Sequence, residues 1–268
     1  MGIGAQSALW RRVALRTLAS TYFRRRIRTV DGSCEICVSG GSSLKFLDPR
    51  GVPVEAPHAR FIRDWVGPDA VVWDIGCNLG LFAFPAALKA RQGIVYGFEA
   101  DVELAARLLQ SRRLPRNADL NVAIFCLAVS DADATASFQI SRFSRAMNRL
   151  QGVGAWNDTK VSTDETRTVA TLRIDTLARS LRPPTAIKID VEGAEMNVLE
   201  GGEATIAKFR PTMLVEGPQE LWQPMGDFFR KHDYVMLDGN AEHATPLDHP
   251  VWDTLAVPRE KFGRLNTA

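Results

Sequence analysis

Cysteine is scarce and unpatterned in this chain, with four in 268 residues. That excludes the disulfide framework on which small secreted domains rely. Cys34 and Cys37 make one CxxC, but no second CxxC or suitably spaced histidine pair completes a zinc site. The pair falls in a strand-like run, Ser33–Val38, where residues three apart face opposite ways. Both read as ordinary half-buried thiols. Cys77 and Cys126 lie at apolar strand ends without an obvious partner, and four such cysteines fit a reducing cytoplasm. No apolar run approaches the roughly 20 residues of a membrane-spanning helix. A signal peptide is not legible either, because Arg16 splits Val13–Phe23 and no small-residue cleavage site follows. Internal repeats and low-complexity tracts are absent.

Bulk charge is missing too. The formal net charge is only +2, which gives no whole-protein attraction to nucleic acid. Acid is absent locally, however: residues 1–30 hold seven arginines and no Asp or Glu, leaving −5 for the remainder. Leu15, Leu18 and Tyr22 share one helical face, which predicts a basic amphipathic helix. Such a helix either docks on the domain with its basic face solvated or makes transient peripheral contact with an anionic membrane or acidic partner. An apolar content of 46% in a chain of this length supports one large α/β domain plus an extension.

After the basic helix, Ser33–Val38 and Ser43–Leu47 flank Ser39-Gly40-Gly41-Ser42, a hairpin signal. A short helix, His58–Val66, follows. Strands and helices then alternate. Strands are predicted at Val71–Ile75, Ile94–Phe98, Asn121–Val129, Thr135–Ile140, Thr168–Arg173, Ile187–Asp190, Thr212–Glu216, Tyr234–Asp238 and Thr254–Val257. Helices are predicted at Leu79–Ala90, Val102–Leu114, Asp175–Leu181, Met196–Phe209 and Gln219–Lys231. This alternation implies a mainly parallel sheet covered on both faces, with the late pair of strands suited to an antiparallel edge. Residues 141–167 are polar and without period, which reads as a lid or binding loop. The organisation is thus an extension over 1–60 and a main domain over 61–268.

Ligands of open parallel sheets bind beyond the carboxyl ends of the strands. Asp74, Glu99, Asp190 and Glu216 all fall at such ends. The first strand runs into Asp74-Ile75-Gly76-Cys77-Asn78-Leu79-Gly80, a sharp turn into a helix. It is not the dinucleotide fingerprint, which would need glycines where Asn78 and Leu81 stand, and it lacks the Lys-Ser/Thr of a phosphate loop. Gly76 and Gly80 allow a compact ligand close to the backbone, and Glu99 could take both hydroxyls of a ribose. A positively charged adenosyl ligand suits this acidic pocket better than a pyrophosphate. In the later run Ile187-Lys188-Ile189-Asp190-Val191-Glu192-Gly193-Ala194-Glu195, strand alternation puts Lys188, Asp190 and Glu192 on one side. Asp190 and Glu192 could accept hydroxyl hydrogen bonds, act as a base or help hold a cation. The plainer alternative is a Lys-carboxylate cluster that neutralises charge. Three carboxylates without a clear ligand count do not make a metal site.

Here the chain resembles the FkbM-type S-adenosylmethionine-dependent methyltransferases. Val72–Gly80, Val95–Asp101 and Ile187–Glu195 carry the resemblance, and Leu199–Gly202 and Pro211–Gly217 continue it in order. It covers roughly Phe61 to Tyr234. The resemblance implies a Rossmann-like class I methyltransferase fold: α/β, with a seven-stranded sheet and an antiparallel seventh strand. It implies that Asp74, Gly76, Asn78 and Gly80 line the methionine and ribose part of S-adenosylmethionine. It further implies that Glu99 binds the ribose hydroxyls beside Ala100 and Asp101, with Ala128–Asp131 near the adenine. The implied reaction is O-methylation of a hydroxyl on a sugar, glycolipid or polyketide-like acceptor. Asp190 is the first candidate base, with Glu192 or Glu216 as alternatives; His243 and His249 read as surface polar residues. Two rivals stand beside this reading: a nucleotide-dependent oxidoreductase, and a non-catalytic cofactor-binding scaffold recruited through the basic N-terminus. A nucleic-acid methyltransferase is disfavoured by the acidic core and the lack of an aromatic-basic platform.

Overall fold

A computed structural model describes residues 22–39, 52–141, 148–150, 163–243 and 245–265. The elements, in chain order, are β1 (Tyr22–Thr29), β2 (Gly32–Ser39), α1 (Ala56–Trp65), β3 (Val71–Ile75), α2 (Ala83–Lys89), β4 (Ile94–Glu99) and α3 (Val102–Arg112). There follow β5 (Val122–Cys126), β6 (Ala128–Val129), β7 (Ala134–Ser141), β8 (Arg149–Leu150), β9 (Thr163–Leu172) and α4 (Ile174–Leu177). The last third holds β10 (Ala186–Ile189), α5 (Glu195–Gly201), α6 (Glu203–Phe209), β11 (Thr212–Glu216), α7 (Trp222–Lys231), β12 (Tyr234–Asp238), β13 (Asp253–Pro258) and α8 (Arg259–Leu265).

The main sheet has seven strands in the order β12-β13-β11-β10-β3-β4-β5. β3 is central, pairing in parallel with β10 on one side and β4 on the other. All five of its residues are buried, which is why Val71-Val72-Trp73-Asp74-Ile75 reads as an apolar run rather than an alternation. Val71, Trp73 and Ile75 join the core on one face with Phe98, Ile187 and Ile189. Val72 joins the opposite core with Val95, Phe84 and Leu108. Trp73 is fully buried and rests edge-on against Tyr96, with its indole N–H on the Arg182 carbonyl. Replacing it with Ala would cost about 3–5 kcal/mol by analogy with other buried aromatics.

β13 is antiparallel to both β11 and β12. The last strand of the sheet is therefore antiparallel, as the resemblance implies, but it lies inside the sheet; the edge is β12, which runs with the parallel strands. Expected ends also shift where backbone geometry intervenes. The helix predicted from Leu79 begins at Ala83, because Gly80 at φ +82° keeps the preceding turn out of helical geometry. The helix predicted over Met196–Phe209 is divided at Gly202 into α5 and α6.

Two expectations are corrected. Tyr22–Thr29 is a strand, not the end of a basic helix, and it forms a hairpin with β2. The turn between β1 and β2 is Val30-Asp31; the predicted Gly40-Gly41 turn, the predicted strand Ser43–Leu47 and the helix positions before Tyr22 lie outside the described residues. Hairpin residues Ile27, Cys34, Ile36 and Val38 are buried in the core that also holds Val72 and Leu108. Cys34 is buried and Cys37 only partly so, as residues on opposite strand faces should be. The other correction concerns 141–167. Its described parts belong to strands: β8 and the start of β9 form a second sheet in the order β6-β9-β7-β8. Thr168–Leu172 continues β9 and so lies in that sheet, outside the parallel one. Phe138, Ile140, Leu150 and Ala128 make its small buried cluster.

Candidate active site

The carboxyl ends of β10, β3, β4 and the β5–β6 segment open on one cleft of about 670 Å³, part of it open to solvent. Along the strand ends its lining changes character. Asp190, Val191, Glu192 and Ala194 follow β10, Ile75, Gly76 and Asn78 follow β3, and Phe98, Glu99 and Ala100 close β4. Leu104, Leu127, Ala128, Val129, Phe138 and Leu150 make an apolar slot beside them, joined by the Asn148 side chain. An acidic stretch next to an apolar slot suits a ligand with a cationic end and a flat apolar end.

Glu99 organises the middle of the cleft. One carboxylate oxygen accepts the Asn78 amide at 2.8 Å and the other accepts the Asp101 amide at 2.8 Å. These bonds hold Asn78 in the left-handed region, at φ +51°. Burial pushes the Glu99 carboxyl up to about 7, and the two amides pull against that shift. Each oxygen retains a second lone pair for a ligand in the cleft.

Beneath the floor lies a buried charge cluster. Lys188 Nζ donates to Asp190 Oδ2 at 3.0 Å and to the Gly76 carbonyl at 3.0 Å, with Asp74 3.6 Å away. Burial would lower the ammonium's pKa, but Asp190, Asp74 and Glu216 outweigh it and raise the value. Burial raises the carboxyl of Asp74, against the pull of Lys188. Among the described residues neither oxygen of Asp74 has a partner at full hydrogen-bond geometry, although the Lys188 ammonium, 3.6 Å away, and the Cys77 thiol both pull its carboxyl down against burial. Glu192, at φ +56°, is pushed up to about 8 by burial and by the carboxylates of Asp190 and Glu216. Glu216, pushed up to about 7 by burial first and Asp190 second, accepts the Trp252 indole N–H at 2.9 Å. Glu195 pins the turn through the amides of Val191 and Gly193. Among the described residues no group of three His, Cys, Asp or Glu side chains is placed to hold a metal ion.

These raised carboxyls fix a pH dependence. Glu99, Glu192 and Glu216 bind protons more tightly folded than unfolded, so their contribution is fully present below about pH 4.5 and is lost as pH rises through 7 and 8. The ligand-free protein is therefore expected to lose unfolding free energy between pH 5 and pH 8. Urea melts at several pH values would measure this; a flat or rising curve would show that these three carboxyls are not strained by burial.

Of the residues singled out from sequence, Gly76, Asn78, Glu99, Ala100, Ala128, Asp190 and Glu192 line the cleft together. Asp74 does not reach it, since its side chain is fully buried under the floor. Gly80 packs away from it: a Cβ there would lie 2.6 Å from the Phe84 ring and 2.9 Å from Leu108. Asp131 is also outside, its oxygens taken by Ser130 at 3.0 Å and Asn197 at 3.1 Å. His249 stacks on Trp222 and His243 lines a separate hollow with Arg60 and Asp238. Sequence reasoning missed the contribution of the second sheet. Asn148 donates to Asp101 Oδ2 at 2.9 Å, and Arg167 donates to Asp101 Oδ1 at 3.1 Å. Asp101 in turn caps α3 through the Glu103 amide. Of these three, Asp101 alone was named in advance, as a neighbour of Glu99.

The strand order, with β3 central and β13 inserted antiparallel between β11 and β12, and the Gly76–Glu99 cleft define the class I methyltransferase architecture. The comparisons agree. The methyltransferase FkbM domain model matches residues 74–236, and the chain belongs to that family. The hexuronic acid methyltransferase AglP of Haloferax volcanii is 30% identical over 160 residues, 59% of this chain and 59% of its own length. The 2-O-methyltransferase NoeI of Sinorhizobium fredii is 29% identical over 177 residues, 62% of this chain and 71% of its own length. The chain thus spans about three fifths of the first of these relatives. The crystal structure of the FkbM methyltransferase of Methylobacillus flagellatus superposes with a TM-score of 0.48 at 17% identity, over 75% of this chain and 47% of that one.

Proposed function

We propose that the protein transfers a methyl group from S-adenosylmethionine to a hydroxyl of a sugar, free or carried on a glycan, glycolipid or similar small molecule. The observation that carries this reading is the cleft itself, where one carboxylate held by two backbone amides separates an apolar slot from an acidic stretch. The cradle fits the cofactor. A Cβ on Gly76 would lie 1.8 Å from the Asp190 carbonyl, so backbone alone forms the floor there. Gly76 and Asn78 would hold the methionine and ribose part, Glu99 the ribose hydroxyls, and Ala100 and Ala128 the adenine side. When bound, S-adenosylmethionine would supply a methyl group on a good leaving group. The two sugar-directed names among the relatives support the acceptor class.

The protein's own residues then have to orient the acceptor and take its proton. We assign this role to Asp190. Lys188 fixes its Oδ2, while Oδ1 accepts no hydrogen bond among the described residues. Glu192, with its carboxyl pushed up to about 8, is a second proton acceptor matched to neutral pH. Asp190→Asn is expected to keep cofactor affinity within a few-fold while lowering transfer by about 10²–10⁴. Calorimetry and single-turnover assays separate the two effects; full activity would remove Asp190 from the chemistry. The oxidoreductase alternative has no support, because the dinucleotide spacing fails at Asn78 and Leu81.

The decisive experiment supplies radiolabelled S-adenosylmethionine to the protein with extracts fractionated as glycan, lipid, small molecule and protein. Label is expected in a glycan-bearing or sugar fraction, in alkali-stable ether linkage. Label confined to protein, or none anywhere despite measurable cofactor binding, would reject the sugar hydroxyl as acceptor.

A further inference from the structure

The hairpin carries a surface that the methyl-transfer reading does not use. In β1 the side chains alternate, with Ile27 buried and Arg24, Arg26 and Arg28 exposed on the opposite face. Alternate strand positions are about 6.7 Å apart, so three guanidinium groups form a row of about 13 Å. Arg116 extends this face from the β2 side, reaching Ser33 Oγ at 3.4 Å and Glu35 at 3.3 Å. Glu35 also meets Arg26 at 3.7 Å. Arg24 and Arg28 have no carboxylate within salt-bridge distance among the described residues. The face therefore carries excess positive charge, and the chain before it adds more, since residues 1–30 contain no acid.

At the tip of the same hairpin stands Val30, 94% exposed. A single exposed aliphatic side chain is ordinary on a protein surface, but this one stands beside both a row of cations and an apolar groove. Beside it an apolar groove of about 900 Å³ runs between the hairpin and α1, floored by Val54, Ile62 and Pro85. Its rim holds the cations Arg28, Arg60 and Arg63. Arg63 is paired with Asp64 at 2.6 Å, and Asp31, the acid among the described lining residues, is 3.5 Å from Lys89.

We propose that this hairpin face docks on an anionic lipid surface, with the arginine row on the headgroup phosphates and Val30 entering the acyl boundary. Two features together select this partner. A row of cations attracts any polyanion, but an exposed aliphatic tip beside an apolar groove gains free energy where an apolar phase lies beneath the charges. The arginine stems can lie along that boundary while their heads stay with the phosphates. A membrane thus fits both parts of the surface, whereas a soluble polyanion fits one.

The test is co-flotation of the full chain with phosphatidylcholine vesicles, with and without phosphatidylglycerol, at low and high salt. Binding is expected only with the anionic lipid and should fall as salt rises. The double variant Arg24→Glu/Arg28→Glu should lose binding by at least about 30-fold, the factor expected for losing two cations beside an anionic surface. Val30→Asp should also weaken it while leaving every arginine in place. Unchanged cofactor affinity and circular dichroism would show that both variants fold. Equal binding to neutral vesicles would overturn the proposal, as would wild-type behaviour in both variants. So would full competition by heparin or RNA with no effect of Val30→Asp, which would make the face a site for soluble polyanions. The salt dependence of the unaltered protein tests the proposal even where a variant fails to fold.

Discussion

Glu99→Gln is expected to weaken S-adenosylmethionine binding by at least about 100-fold. Charge-assisted hydrogen bonds are worth about 1.5–3 kcal/mol each, and a ribose diol donates two to one carboxylate. The exchange also damages the cradle. The carboxylate now accepts the amides of Asn78 and Asp101, at 2.8 Å each. A glutamine offers one oxygen, and its NH2 must face the other amide, donor against donor. Asn78 then loses what holds it at φ +51°. Calorimetry and thermal melts should be read together. A variant that binds normally but melts early would make Glu99 a brace for the two loops and deny it the ligand.

Gly76→Ala is expected to destabilise the protein and abolish the cofactor cradle together. At φ +78° the backbone already disfavours a side chain, and the new Cβ would lie 1.8 Å from the Asp190 carbonyl oxygen and 2.8 Å from its carbon. The obstacle is backbone, so no rotamer change relieves it. The Gly76 amide is also fixed, donating to the Phe98 carbonyl at 3.0 Å. Relief must come by separating the β3 and β10 ends, which breaks the Lys188 contact with the Gly76 carbonyl. We expect a stability loss of about 3 kcal/mol or more, together with loss of cofactor binding. Denaturant melts and calorimetry check this; a variant within about 1 kcal/mol of the parent would show that the turn can open freely.

The central sheet was legible because its strands are buried on both faces. Val71–Ile75, Ile94–Phe98 and Thr212–Glu216 are short apolar runs that stop at a carboxylate, and those stops marked the ligand side. Glu99 and Asp190 were found by that logic. Asp74 follows the same pattern yet lies under the floor, because its strand position faces Lys188 across β10 and not the cleft. No spacing distinguishes the two cases. The second sheet was only partly legible: Thr135–Ile140 and Thr168–Arg173 read as strands, but neither their pairing apart from the parallel sheet nor the start of β9 could be read. Thr163–Leu172 pairs with Ala134–Ser141, and its first half is polar and exposed at Glu165 and Thr166, which hid where that strand begins. Asn148 could not be found before that pairing was known. In β1 the alternation of Arg24, Arg26 and Arg28 about Ile27 was present in the sequence, but the helical spacing of Leu15, Leu18 and Tyr22 drew the reading past it.

The interior position of β13 constrains how the molecule is made. β12 touches the rest of the sheet only through β13, a strand translated after it. While the ribosome is still synthesising residues 239–252, Tyr234–Asp238 has no strand to pair with and β11 presents an open edge. Cofactor-side strands from β3 to β11 can assemble by then, but the sheet cannot close until Asp253–Pro258 threads between two segments already made. A nascent chain of this protein therefore passes through a stage with two unpaired strand edges, and it is at that stage that aggregation or chaperone capture should be sought.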